Sequence, residues 1–384
     1  MNETVKGFKD YIGEEAEKRE KVREIIKCIF EKYGFEPVET PVIEYVDFVL
    51  GENASDEAVS DTFKLKDKGD RNLALRYEFT FQLKRIIQNK KLPFKRYQIG
   101  LVFRDEPAAG NRVRQITQCD ADIISSGIKD EAEILSLVSS ILKELKIKAT
   151  IYVNNRGLLN EILDEQGITK KEEVIREIDK LDKLSEKKVR ENLKKYNADK
   201  VLGILKKKPD FFNKYKSYQD ILELEKYCKS FNVKIVFQPS LARGLSYYNS
   251  NVFEIKSNEM KETISAGGSY LINGIQSTGI SLGLDRITGL AKIKDSKKTA
   301  LVISLNQDDK AIKLVNKIRS SNIACEIMYG KPTKALEYAN SKKISYVVFL
   351  GNEEVKQKKL KLKNMKTGKE QLMNEKQLFD EITR

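Results

Sequence analysis

The sequence contains no histidine. That absence excludes Ser-His-Asp and Cys-His hydrolases, imidazole general bases and histidine-ligated metals. Any reaction run by this chain must rest on charge stabilisation and positioning. Cysteine is sparse too. Cys28, Cys119, Cys228 and Cys325 stand far apart with no CxxC pair, so they read as reduced thiols rather than a disulfide frame or a zinc site. No stretch approaches the ~20 apolar residues that span a bilayer, and no apolar signal core opens the chain. With no lipidation motif or amphipathic anchor either, a cytoplasmic protein that does not bind membranes is expected.

What is present describes a globular, multi-domain, basic protein. A chain of 384 residues exceeds the ~250 at which single cores stop growing, so two or three domains are expected. Hydrophobic residues make up 40% and charged residues 33%, with a net charge of +14 that points to a polyanionic partner. Lysine-rich composition can also reflect the host proteome or a hot habitat.

Residues 14–33 carry Val22, Ile25, Ile26, Ile29 and Phe30 at helical spacing, ended by Gly34. An extended segment limited by Pro37 and Pro41 follows. Residues 62–65 and 73–76 predict a hairpin around the polar turn 66–72. In residues 75–80, Leu-Arg-Tyr-Glu-Phe-Thr, a strand would project Glu78 and Thr80 to one side; alternatively Thr80 caps a helix over 81–88. Residues 97–106 form a strand running into charge, followed by a polar loop at 107–111. From 112 to 122, alternation puts Arg112, Arg114, Ile116, Gln118, Asp120 and Asp122 on one face and Val113, Cys119 and Ala121 on the other. So charged a face is either a site or a solvated surface.

Lysine-rich helical pattern dominates from 151 to about 232, with Val174, Ile175, Ile178 and Leu181 at helical spacing. The chain then returns to strand and to the peptide 241–249, Leu-Ala-Arg-Gly-Leu-Ser-Tyr-Tyr-Asn. Arg243 is a permanent cation with a planar fork of donors, suited to a carboxylate or phosphate, and Tyr247 and Tyr248 offer flat faces with hydroxyl tips. The plainer reading is a half-buried strand whose arginine answers a neighbouring acid. Strand parity aligns Arg243 with Tyr247; a bulge at Gly244 would admit Tyr248 as well. The region from about 296 alternates strand and helix, which predicts a largely parallel sheet.

Residues 241–249 match the second histidine-binding signature of histidyl-tRNA synthetases, and the chain resembles that class II family over nearly its whole length. Helix, strand and Pro41 resemble motif 1, which builds the family's dimer interface. Phe103-Arg104-Asp105-Glu106 with 112–118 resembles motif 2, and 278–286, Thr-Gly-Ile-Ser-Leu-Gly-Leu-Asp-Arg, resembles motif 3. The resemblance implies an α+β fold: a class II antiparallel-sheet catalytic domain (residues 1–155 and 233–294), a helical insertion (156–232) that contacts tRNA, and a C-terminal α/β anticodon-binding domain (295–384). It implies histidine activation by ATP and transfer to tRNA(His), with Mg2+ accompanying ATP, in a homodimer; no residue marks itself as a metal ligand.

By the same resemblance Arg104 and Arg243 grip the α-phosphate and substrate carboxylate, and Glu106 contacts adenine. Arg112 and Arg286 hold ATP. Glu78, Thr80 and Gln118 take the α-amino group, Asp122 accepts from the imidazole, and Tyr247, Tyr248 and Tyr270 shape the side-chain pocket. Four positions depart from the family pattern. Ile116 stands where an aromatic residue stacks on adenine, Tyr77 where proline is usual, and Ser269 and Leu271 where the 265–270 motif has arginine and aspartate. The glycines of that motif would let backbone approach the ligand. The other readings are a histidine-binding regulatory subunit of ATP phosphoribosyltransferase and a threonine or proline synthetase.

Overall fold

The first helix, Gly13–Lys32, buries Val22, Ile26, Ile29 and Phe30 along one stripe. It ends where the chain needs a positive φ, at Gly34 (+78°). The computed structural model describes residues 3–50, 61–106, 113–243, 247–293 and 298–383. It divides into two units, Met1–Ile293 and Lys294–Arg384.

In the first unit the strands are, in chain order, β1 (Glu36–Pro37), β2 (Ile43–Tyr45), β3 (Lys64–Lys66), β4 (Asn72–Leu75), β5 (Phe94–Phe103), β6 (Gln115–Ile124), β7 (Thr150–Asn155), β8 (Ile235–Phe237), β9 (Tyr248–Lys256), β10 (Ser265–Ile272) and β11 (Ile275–Gly283). Eight of them make one sheet in the order β1-β5-β6-β11-β10-β9-β7-β8. Its centre is antiparallel, and short parallel pairs close the two edges. The predicted hairpin is present as β3 and β4, with β2 added beside β4.

One face of the large sheet is apolar. Cys119, Ala121 and Ile123 of β6 and Phe253 and Ile255 of β9 join the first helix and helix Ile128–Glu144 in one continuous cluster. The alternate residues of β6, Gln118, Asp120 and Asp122, face the other way. Between β7 and β8 the chain is all helical, with helices at Arg156–Glu165, Lys171–Asp179, Glu186–Leu193, Val201–Ile204 and Lys216–Ser230. Leu158, Ile162, Val174, Ile178, Val189, Phe212 and Leu224 of this segment belong to the same cluster as the residues of the large sheet. Its lysines Lys187, Lys188, Lys194, Lys195 and Lys206 to Lys208 are exposed.

Residues 76–82 depart from expectation. β4 stops at Leu75, and the chain bends into a short helix, Leu83–Ile86, whose N-cap position is Gln82 rather than Thr80. The Glu78 carboxylate turns back to accept from the Phe81 N–H at 2.6 Å, which the extended form could not offer.

The second unit has β12 (Thr299–Ser304), β13 (Ala324–Tyr329), β14 (Tyr346–Leu350), β15 (Leu360–Asn364) and β16 (Glu370–Met373) in the order β13-β12-β14-β15-β16. The expected parallel sheet holds only for β13, β12 and β14; β15 and β16 are antiparallel. Asn364 begins the turn that folds them into a hairpin, with Gly368 at φ +71°. Helices Asp308–Ser320 and Glu375–Thr383 cover one face and Pro332–Ser341 the other. Among the described residues no helix is long and apolar enough to cross a membrane.

Candidate functional site

The polar face of the sheet centre gathers most of the residues singled out from sequence. β6 carries Asp122 into a buried position, where it accepts a hydrogen bond from the Tyr270 hydroxyl of β10. The Tyr247 ring stacks against Tyr248 at 4.6 Å and meets Tyr270 edge-on at 5.7 Å. Both tyrosines of the pair line this wall, so Tyr248 is not turned away as simple strand parity from Arg243 suggests. Burial pushes the phenols of Tyr247 and Tyr270 well above their ordinary value, which keeps their hydroxyls protonated and able to donate.

Glu78 approaches from the bend after β4, buried, with the Thr80 hydroxyl and the Phe81 N–H on its carboxylate. Burial raises its pKa, and the nearby Asp122 raises it further against those hydrogen bonds. Gln118, on the Asp122 face of β6, has a buried Oε1 without a hydrogen-bond partner among the described residues. Carboxylates and amide oxygens thus collect at one end of the site, a surrounding for an ammonium and an N–H.

The other end is cationic. Arg104 follows β5, and its guanidinium lies 4.6 Å from the centre of the Tyr77 ring. Tyr77 therefore carries an arginine of the site, a larger role than a minor exchange for proline. Arg243 is half-buried, its Nη1 3.3 Å from Glu254 Oε1 on β9. The acid that answers it exists, as the plainer reading expected. Yet Nε of both Arg104 and Arg243 is buried without a hydrogen-bond partner among the described residues. Such donors match carboxylate and phosphate oxygens.

Glu106 follows Arg104 and is half-buried, its carbonyl accepting from Arg114 Nε at 3.0 Å. Ile116 sits opposite Val102 and shares the Gln118 face. Arg286 is exposed on helix Leu284–Leu290, with Nη1 2.6 Å from the Thr263 carbonyl. The preceding Asp285 ties that helix to Arg19 and Tyr11 of the N-terminal segment. Arg112 lies outside the described residues.

Two groups of residues take structural roles that the sequence alone does not give them. A Cβ at Gly279 of β11 would overlap Asp122 Oδ1, so this glycine leaves room for the carboxylate. A Cβ at Gly267 would overlap the Gly279 carbonyl, and one at Gly268 would meet Asn251 O at 2.6 Å and the Tyr248 ring at 2.9 Å. Within the protein these glycines let strands and a site tyrosine approach each other. The second group is Arg96 and Asp120. The strand pairing sets Arg96 opposite Asp122, and Asp120 lies two residues along the same face. Counting the β5–β6 pairing back through the loop would have found both.

Comparison with known proteins shows a family for the chain. Residues 7–287 match the family model described as histidyl-tRNA synthetase, and residues 299–384 match an anticodon binding domain. Among relatives, Histidine--tRNA ligase 1 of Bacillus cereus is 33% identical over 410 residues, covering 95% of this chain and 94% of that protein. The fold of the histidyl-tRNA synthetase from Nostoc superposes with a TM-score of 0.87 at 21% identity, over 100% of this chain and 99% of that one. An ATP phosphoribosyltransferase regulatory subunit/histidyl-tRNA synthetase from Bacillus halodurans gives 0.77 at 19% identity, covering 91% and 98%.

Proposed function

The chain belongs to the histidyl-tRNA synthetase family, and from that premise we infer that it is an ATP-dependent histidine–tRNA ligase. An oxygen of the histidine carboxylate attacks the α-phosphorus of ATP; the bond to the β-phosphate oxygen breaks and pyrophosphate leaves. A ribose hydroxyl of the tRNA end then attacks the acyl carbon of the adenylate and AMP departs. An ionised carboxylate needs no general base, only positioning and cations facing the developing charge, which suits a protein without histidine.

In this reading Glu78, Thr80 and Gln118 receive the α-ammonium, and Asp122 the imidazole N–H, within the walls formed by Tyr247, Tyr248 and Tyr270. Arg104 and Arg243 face the carboxylate and α-phosphate. Glu106 and Ile116 lie toward adenine, and Arg112 and Arg286 toward the outer phosphates. The observation that carries the assignment is a set of buried atoms at the site without partners among the described residues: Gln118 Oε1, Arg104 Nε and Arg243 Nε. Buried polar groups are otherwise almost always paired, so these fit an acceptor for an ammonium and donors for anions.

No cluster of three metal-ligating side chains occurs among the described residues. That fits Mg2+ bound mainly through the ATP phosphates, where it would screen phosphate charge. We assign residues 1–155 and 233–294 to catalysis, 156–232 to the tRNA-contacting insertion and 295–384 to the anticodon. Exposed Val42, Ile43 and Tyr45 beside Pro41 support a homodimer interface there, and the expected compartment is the cytoplasm.

Histidine-dependent exchange of pyrophosphate into ATP tests the function. Arg243→Ala is expected to lower that exchange by ~10²–10³ with the thermal midpoint and oligomeric mass preserved. Near wild-type exchange would return Arg243 to a structural role. Histidine binding by the full chain without any exchange would instead place it with the histidine-sensing subunits.

A further inference from the structure

Behind the Asp122 carboxylate lies a cation that none of these roles uses. Arg96, on β5, has no solvent exposure and heads the largest fully buried side chains. Its Nη2 lies 2.7 Å from Asp122 Oδ2 and donates to the Phe79 carbonyl at 3.2 Å. Its Nε and Nη1 have no hydrogen-bond partner among the described residues. The remaining Asp122 oxygen accepts from Tyr270. Asp120 of β6, Glu78 of the bend after β4, and Tyr247, Tyr248 and Tyr270 also act on this pair or on one another.

A lone buried carboxylate either keeps a proton or draws in a cation, and imidazolium is such a cation. A carboxylate matched by a fixed guanidinium can stay ionised, accept an N–H, and leave no net charge for a second cation. We propose that Arg96 makes the pocket select the neutral imidazole form of histidine, by balancing the charge of Asp122. The proposal rests on the assignment of Asp122 to the imidazole. Arg96 is a positioning residue here, since it touches Asp122 and not the substrate. Burial pushes Asp120 up to about 8, against the opposing pull of Arg96. Well below that value Asp120 holds its proton and adds no charge, so measurements between about pH 5.5 and about 7 straddle the ordinary imidazole value of ~6.5 with Asp120 mostly protonated.

The KM for histidine, read by pyrophosphate exchange with the full-length protein, should be steady above ~6.5 and rise toward tenfold per pH unit below it, while the KM for ATP does not follow. In Arg96→Met an ionised Asp122 has lost its counter-charge and takes imidazolium as its partner, so the ring keeps its proton on binding and the rise below ~6.5 disappears. Arg96→Lys restores a cation and with it the slope, even at lower affinity. A triazole analogue of histidine, whose ring stays neutral throughout, shows no slope with wild type and loses more than histidine does in Arg96→Met. A wild-type KM that holds or falls toward pH ~5.5 overturns the proposal, as does an Arg96→Met protein that keeps the slope. If Arg96→Met does not fold, the wild-type and Arg96→Lys slopes and the triazole still decide. Asp122→Asn separates the two layers. An unchanged KM for histidine there rejects the parent assignment of Asp122, whereas a raised one beside an unaltered slope in Arg96→Met rejects the role of Arg96 alone.

Discussion

Asp120 shows how far burial governs individual residues of this site. Its pKa of about 8, raised chiefly by desolvation, stands against an unfolded value near ~3.9. The folded state therefore binds this proton more tightly than the unfolded chain, and stability drains away as pH rises from ~4 to about 8. Asp120→Asn cannot ionise and escapes that loss. Its thermal midpoint should match wild type near pH ~4 and exceed it by roughly ten degrees or more at pH ~8, since about four pKa units amount to ~5 kcal/mol and ~1 kcal/mol moves the midpoint ~2–4 °C in a unit of this size. A gap that does not vary with pH in a thermal melt series would mean that Asp120 is ionised throughout. At this scale the sequence disclosed residues whose type is odd for their place, such as Arg243 between apolar neighbours. It did not disclose Arg96, because an arginine in a strand ordinarily reads as exposed, and only cross-strand register sets it against Asp122.

Among elements, the tight approach of β10, β11 and β6 decides the shape of the pocket. Gly267 admits the backbone of β11, and Gly279 admits the carboxylate that β6 presents. Gly279→Ala should push Asp122 aside, raising the KM for histidine tenfold or more with a much smaller change for ATP, in line with the ~1–3 kcal/mol penalty for a misplaced buried partner. Equal changes in both constants, measured by exchange, would place the damage in the sheet as a whole. The elements that sequence showed well are those with one strong period, such as helix Gly13–Lys32 and the β5–β6 pair. Residues 75–80 misled because alternation brings Glu78 and Thr80 together in a strand, and a bend does so too by returning Glu78 to the Phe81 N–H. The antiparallel end of the second sheet was legible in Leu360-Lys-Leu-Lys, an alternating run before a turn, but the preceding buried strands overshadowed it.

For the whole molecule, the boundary after Ile293 separates two units with separate apolar cores. A chain ending there should keep histidine-dependent exchange, because every assigned site residue precedes it, and should charge tRNA poorly. Binding of tRNA to the full chain should weaken steeply as salt rises, and the truncated chain should show a shallower slope, since fewer phosphates are neutralised. Equal slopes in filter binding would deny the C-terminal unit a share of the grip.

The strand order has one more consequence, visible only when the chain is followed as it is made. β6 takes β5 as its first neighbour, and its other neighbour, β11, lies beyond the whole helical insertion. While the ribosome is still synthesising residues 156–232, β6 has an unpaired edge and Asp122 faces neither Tyr270 nor Gly279. The pocket therefore closes from its two ends at nearly the last moment of the first unit's synthesis. Until residue 283 has emerged, a nascent chain holds the wall that carries Arg104 and Asp122, yet no complete place for an amino acid to sit.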